Sequence, residues 1–256
     1  MKKILTVLLS AIMLAGVCFG FAGCKKDENV LKIGFTYYAP INYLDENNNF
    51  VGFDTEFAEK VCEELGYKPE FIEINWNNKV MTLNTKEIDC IWNGMTITDE
   101  LKEVIAITDS YMENQQVAVV KTSEASKYTD IASLANATAG IAVEGGSAGE
   151  KVVNEAEELK NASLKLNKFE AQKDTLLEVK TGASSVAIID ITMAKAMTGE
   201  GTDYSDLTYV DLGFAKEDYG IGVRKEDTEL LRKLNELIAK YKTDGTFDDL
   251  YAKYMG

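Results

Sequence analysis

Two hydrophobic periods alternate along this chain. Short apolar runs bounded by Gly, Pro, Asn or Asp read as strands, and stretches with apolar residues three and four apart read as helices. Leu31–Thr36 is the first strand, broken by Tyr37-Tyr38-Ala39-Pro40. Tyr43–Phe50 is a polar excursion. Gly52-Phe53-Asp54 opens a helix with Asp54 as its N-cap; Phe57, Ala58, Val61, Cys62 and Leu65 share one face and Gly66 stops it. Phe71–Ile74 is a strand ending near Trp76, Lys79–Leu83 a short amphipathic helix, and Cys90–Trp92 a strand that breaks at Gly94. Val117–Val120 is a strand and a candidate crossing segment. A second αβ run follows: strand Ala139–Val143, the break Gly145–Gly149, a helix to about Leu159, strand Leu164–Phe169, helix Lys173–Lys180 and strand Val186–Asp190. After a polar loop near Gly199–Asp206, Tyr219–Arg224 is a late strand, and Asp227–Tyr241 and Phe247–Tyr254 are helices. Strands alternating with helices imply an α/β fold with a mostly parallel sheet.

The stretch Asp89–Tyr111 is the most informative one. Its chain leaves the strand through two hydroxyls, Thr96 and Thr98, and starts a helix with Thr98 as N-cap and Asp99 and Glu100 in the first turn. Free backbone N–H groups and hydroxyls at such a junction suit a small polar or anionic group, and an ordinary αβ connection fits the stretch equally well.

The first 23 residues change the picture of where the fold begins. Lys2 and Lys3 precede Ile4–Val17, an uncharged apolar run too short for a stable membrane span, so residues 1–23 read as a secretory signal. Phe21-Ala22-Gly23-Cys24 resembles a bacterial lipobox, which implies cleavage before Cys24, a lipid on its sulfur, and a tether over 24–30. Without Lys2 and Lys3 the 27 basic residues fall to 25 against 42 acidic ones. Such a surface argues against nucleic acid as a partner. Cys62 and Cys90 sit in apolar patterns, so buried free thiols are the default, and spacing alone leaves a disulfide open. There is no histidine, no zinc-type cysteine spacing and no Gly-rich phosphate loop, so no metal or cofactor is expected.

Assembled in order, Gly52-Phe53-Asp54, Trp76, Ile88-Asp89, Gly94-Met95-Thr96-Ile97-Thr98, Asp109, Tyr111, Gly146-Ser147, Asp190, Tyr219-Gly220-Ile221 and Asp244-Gly245-Thr246 resemble the polar amino-acid-binding proteins of bacterial ABC importers, solute-binding family 3, over essentially all of Leu31–Gly256. The resemblance implies a two-lobe, type II periplasmic-binding-protein-like fold, two αβ lobes joined by two crossing strands. Lobe one is expected at 31–116 and 217–256 and lobe two at 117–216, with ligand held in the cleft by hinge closure. It also implies a monomeric, membrane-anchored receptor outside the cytoplasm that hands its solute to an ABC permease. The implied ligand contacts are Tyr38 and Trp76 as an aromatic sandwich, the Gly94 carbonyl with its neighbour Asn93, the Thr96 hydroxyl, Ser147 and the amides from Ala148 onward for a carboxylate, and Asp190 for the ammonium. Asp190 also fits as a plain helix N-cap, and Trp92 fits core and cleft equally.

Two positions depart from the family. Leu101 stands where an arginine forms a two-pronged pair with the ligand's α-carboxylate, and the only arginines are Arg224 and Arg232. Glu144 stands where some relatives carry a basic residue. Either Thr96, Ser147 and backbone amides, with Lys102 a further candidate, hold the carboxylate, or the ligand lacks one. Three functions remain in view: a receptor for an amino acid or a carboxylate-free amine; a cleft enzyme with Glu144 or Asp190 as acid or base, as in dehydratase and peptidoglycan-lyase relatives; and the sensor domain of a signalling protein.

Overall fold

The computed structural model describes residues 30–255; the leader 1–23, Cys24 and the tether short of Val30 lie outside the described residues. The first lobe opens with β1 (Val30–Phe35) and a small hairpin, β2 (Tyr43–Leu44) and β3 (Phe50–Val51), which the polar tip Asp45–Asn49 hides in the sequence. Helix α1 (Phe53–Leu65) buries Phe57, Ala58, Val61 and Cys62 completely, and Gly66 ends it in the left-handed conformation that a side chain would disfavour. Its N-cap is Gly52, not Asp54: the Asp54 side chain turns into the core instead of capping. Strand β4 (Lys68–Glu73), a 3-10 turn at Trp76–Asn78, helix α2 (Lys79–Asn84), strand β5 (Cys90–Thr96), helix α3 (Asp99–Val104) and the short β6 (Ala106–Ile107) complete this part.

Strand β7 (Met112–Lys121) leads into the second lobe: β8 (Ile141–Glu144), α4 (Ala148–Glu155), β9 (Leu166–Phe169), α5 (Gln172–Thr181), β10 (Val186–Asp190), α6 (Ile191–Met197) and β11 (Leu207–Val210), a strand the sequence pattern leaves as loop. Strand β12 (Lys216–Val223) returns to the first lobe, where α7 (Thr228–Tyr241) and α8 (Thr246–Tyr254) close the chain.

One sheet path runs β4-β1-β5-β12-β7-β10-β8-β9. The pairs β1–β5, β8–β10 and β8–β9 are parallel, while β7 and β12 pair antiparallel with each other and with their neighbours. Residues 112–115 of β7 face 216–219 of β12; beyond that contact β7 continues against β10 and β12 against β5. These are the two strands that cross between lobes. Both are longer than their apolar runs, because the polar stretches Glu113-Asn114-Gln115 and Lys216-Glu217-Asp218 pair with each other. Cys62 and Cys90 are both free and buried, so no disulfide joins them.

Candidate functional site

Strand β5 does not stop at Gly94; it bulges there. Gly220 of β12 faces Met95 and Gly222 faces Ile91, so four residues of β5 span what two span on β12. The three residues between these pairs, Trp92–Gly94, stand against Ile221 alone, two more than a regular ladder holds, and redirect the chain. Trp92 points inward, fully buried and edge-on to Phe57 at 4.7 Å, and so belongs to the core. Asn93 exchanges hydrogen bonds with Asn42 and the Thr36 hydroxyl. Gly94 has φ +58°, and a Cβ there would lie 2.9 Å from the rings of Tyr38 and Tyr219. Its N–H donates to Asp54 Oδ2 at 2.7 Å, and the Tyr111 hydroxyl donates to the same oxygen at 2.8 Å. Burial pushes the Asp54 carboxyl up to about 7. The bulge is therefore held from behind by one buried acid.

The bulge forms one wall of an interlobe cavity of about 450 Å³, and the ten residues singled out in the sequence all line it: Tyr38, Trp76, Asn93, Gly94, Thr96, Leu101, Glu144, Ser147, Ala148 and Asp190. From the first lobe, Tyr38 shares a 2.8 Å hydrogen bond with the Tyr219 hydroxyl. Trp76 opens the 3-10 turn, and the Thr98 hydroxyl caps α3 by accepting the Leu101 N–H at 3.2 Å. From the second lobe, β8 ends in Glu144. The chain then turns through Gly146 at φ +72°, where a Cβ would lie 2.9 Å from the Asn77 side-chain oxygen across the cleft. Ser147 caps α4, its hydroxyl accepting the Glu150 N–H. Asp190 ends β10 at the N-cap position of α6 but makes no capping bond. Its carboxylate instead accepts amide protons from Asn114 at 2.5 Å, Gln116 at 2.7 Å and Gln172 at 2.5 Å. Lys102 is not part of the lining; it is exposed and pairs with Asp99.

The residue the sequence reading missed is Lys79. Its ammonium lies 4.8 Å from the centre of the Trp76 ring and donates to the Trp76 carbonyl at 3.3 Å. It also reaches the Gly146 carbonyl of the other lobe at 2.7 Å. Also in the lining, Lys151 bridges to Glu100 at 2.6 Å. Lys79 is held at about 8, below an ordinary lysine, by burial first and against the pull of Glu144 and Glu150. Glu144 is pushed up to about 8 by burial and then by the charge of Asp190. The two face one cavity without forming an ion pair, and Glu144 Oε1 has no hydrogen-bond partner. Asp190 is likewise raised, by burial first. The inner wall therefore carries two carboxyl groups against one ammonium, with an acceptor left open. Such a wall accepts a cation or a hydrogen-bond donor brought in from outside.

Known proteins are similar to this chain in sequence and in fold. The sequence profile of the bacterial extracellular solute-binding proteins, family 3, matches residues 31–256. The probable histidine-binding protein of Neisseria gonorrhoeae is 28% identical over 267 residues, covering 100% of this chain and 96% of its own. A mutant of ArgBP from T. maritima superposes with a TM-score of 0.81 at 32% identity, over 90% of this chain and 96% of that one. An ancestral amino acid-binding protein, described as a precursor of cyclohexadienyl dehydratase, superposes with a TM-score of 0.79 at 31% identity, over 89% of this chain and 96% of that one.

Proposed function

The chain belongs to the bacterial extracellular solute-binding proteins of family 3, and from that premise we propose that it captures a small amino acid or close derivative for an ABC importer. The observation that carries the reading is the acceptor character of the inner cleft: Asp190 and Glu144, both buried, face the cavity, and Glu144 Oε1 has no hydrogen-bond partner. An α-ammonium group held by Asp190 and the Gly94 carbonyl supplies donors to such a wall. Tyr38 and Trp76 offer rings to the rest of the ligand. Thr96 and the amides at the start of α4, from Ala148 onward, offer donors to a carboxylate, although Leu101 brings no guanidinium. Relatives and neighbours named for arginine and histidine make these the first ligands to try. The lipobox-like Phe21-Ala22-Gly23-Cys24 supports a lipid anchor at Cys24 on the outer face of the membrane.

Calorimetry with L-arginine, L-histidine and L-glutamine, each beside its decarboxylated amine and its deaminated acid, which lacks the α-amino group, tests the reading. At least one compound with a free amine is expected to bind and to raise the melting temperature. Binding only by compounds without an amine would overturn the assignment of Asp190. One observation favours a second reading: Glu144 is an acid held protonated near neutrality, as a general acid would be. Turnover of a bound ligand, lost in Glu144→Gln, would make the cleft an enzyme site.

A further inference from the structure

Behind Asp190 lies a second carboxylate that the cleft does not expose. Asn114 and Gln116, two apart on β7, point to the same side of the sheet. Gln116 faces Asp190 of β10, and Asn114 faces Glu217 of β12. Each amide spends both of its protons on the two acids. Asn114 Nδ2 donates to Asp190 Oδ1 at 2.5 Å and to Glu217 Oε1 at 2.6 Å; Gln116 Nε2 donates to the same two oxygens, at 2.7 Å each. Two acceptor oxygens that share one nitrogen at these distances stand no more than about 5 Å apart. Among the described residues neither acid forms an ion pair. The cluster therefore joins two like charges through neutral amides, at the point where both crossing strands meet.

We propose that Glu217 is a positioning residue for Asp190, and that the two carboxyls act as one unit whose shared proton leaves when a ligand ammonium arrives. The proposal rests on the reading that Asp190 receives that ammonium. Glu217 fixes the two amides on one side and so aims Asp190 on the other. It also supplies the like charge that keeps a proton on the pair while the cleft lacks a cation. Burial first and then the charge of Asp190 push Glu217 up to about 7, in keeping with this. The other groups facing the pair do not neutralise it. They are the Tyr38 and Tyr219 hydroxyls, the Thr96 and Thr192 hydroxyls, Gln172, and the acidic Glu144. The Lys79 ammonium of the cleft faces Glu144 and the Gly146 carbonyl, and Lys216, next to Glu217 in the chain, pairs with Glu113. In the binding step the ligand keeps its ammonium protons, the pair passes from one negative charge to two, and one proton goes to solvent.

Two measurements test it. In ligand-free protein, carboxyl carbon NMR should show a proton leaving the Asp190–Glu217 pair near neutrality. In Glu217→Gln, which keeps the acceptor oxygen and removes the charge, Asp190 should titrate at a lower pH than in the wild type while burial still holds it above an ordinary carboxyl. Calorimetry with L-arginine and with L-glutamine, in phosphate and in Tris near pH 7, should show net proton release by the wild type that falls by up to one proton in Glu217→Gln, the remainder coming from Glu144 and Lys79. Wild-type affinity should rise with pH between about pH 6 and about pH 7 more steeply than that of the variant, by up to roughly tenfold per pH unit. Equal proton release by both proteins, or ordinary carboxylate titration of both acids in the free protein, would overturn the proposal. If neither amino acid binds, the reading of the cleft fails while the NMR titration still decides whether the two acids act as a pair.

Discussion

Trp76 carries a cation on one side already, the Lys79 ammonium 4.8 Å from its ring centre. It still lines the cavity, so it serves both as lid of the first-lobe core and as wall of the cleft. Trp76→Ala should cost about 1–3 kcal/mol of ligand affinity through lost stacking and burial, read by calorimetry; unchanged affinity in a folded variant would return Trp76 to the core alone. Leu101 asks a sharper question. It sits in the first turn of α3, with its own N–H given to Thr98, so it offers the cleft an apolar side chain where a carboxylate needs donors. Leu101→Arg should leave the binding of an amino acid unchanged or tighter, because the guanidinium meets the α-carboxylate. The same change should weaken the binding of a carboxylate-free amine by like charge. Opposite signs for a matched amino acid and amine would locate the carboxylate end of the cleft at α3.

At the scale of elements, the site depends on the β5 bulge, and the bulge depends on Gly94. Its φ of +58° disfavours any side chain, and the rings of Tyr38 and Tyr219 occupy the space a Cβ needs. Gly94→Ala should therefore fold less stably and lose most ligand affinity, by calorimetry, whereas Gly199→Ala, in a loop with open space around it, should keep affinity while straining only its own backbone. The fate of these elements also shows what was legible in sequence. Helix α1 was readable because its apolar face and terminal Gly66 are local signals, as was the Thr98 cap. Asp190 was readable as the polar end of an apolar strand, though only its amide partners show that it does not cap α6. The bulge was not readable, since alternation along one strand says nothing about which residues its partner presents. The crossing strands looked short because their polar residues are satisfied by each other and by the acids between lobes. Lys79 read only as the first residue of a short amphipathic helix; it is buried, with its ammonium between Trp76 and the Gly146 turn of the second lobe.

At the scale of the whole molecule, a cleft built from buried acids sets how stability follows pH. Asp54 and Glu217 are held at about 7 and Glu144 at about 8, each by burial first, and Asp190 is raised too. In the unfolded chain such groups lose their protons near about 4. Between about pH 4 and about pH 8 the folded protein therefore binds more protons than the unfolded chain, and stability falls as pH rises. Surface acids offset this slope only below about pH 5: Glu100, held down to about 2 by Lys151, is ionised in both states above that. Lys79 acts above it. Its value of about 8 lies below the unfolded one, so from there to about pH 10.4 it opposes the fall. Cys62, pushed up to about 12 by burial, and the buried Cys90, raised likewise, keep protons that unfolded thiols lose near about 8.5 and so continue it. Denaturant unfolding of the ligand-free protein should thus show stability falling steadily between about pH 5 and about pH 8. A saturating cationic ligand should flatten the curve, because its charge stabilises the ionised acids at the pH where the empty cleft tolerates them least. Stability that is level or rising from pH 5 to pH 8 without ligand would mean that these carboxyls reach water in the free protein, and that the lobes stand open enough to hydrate the cleft.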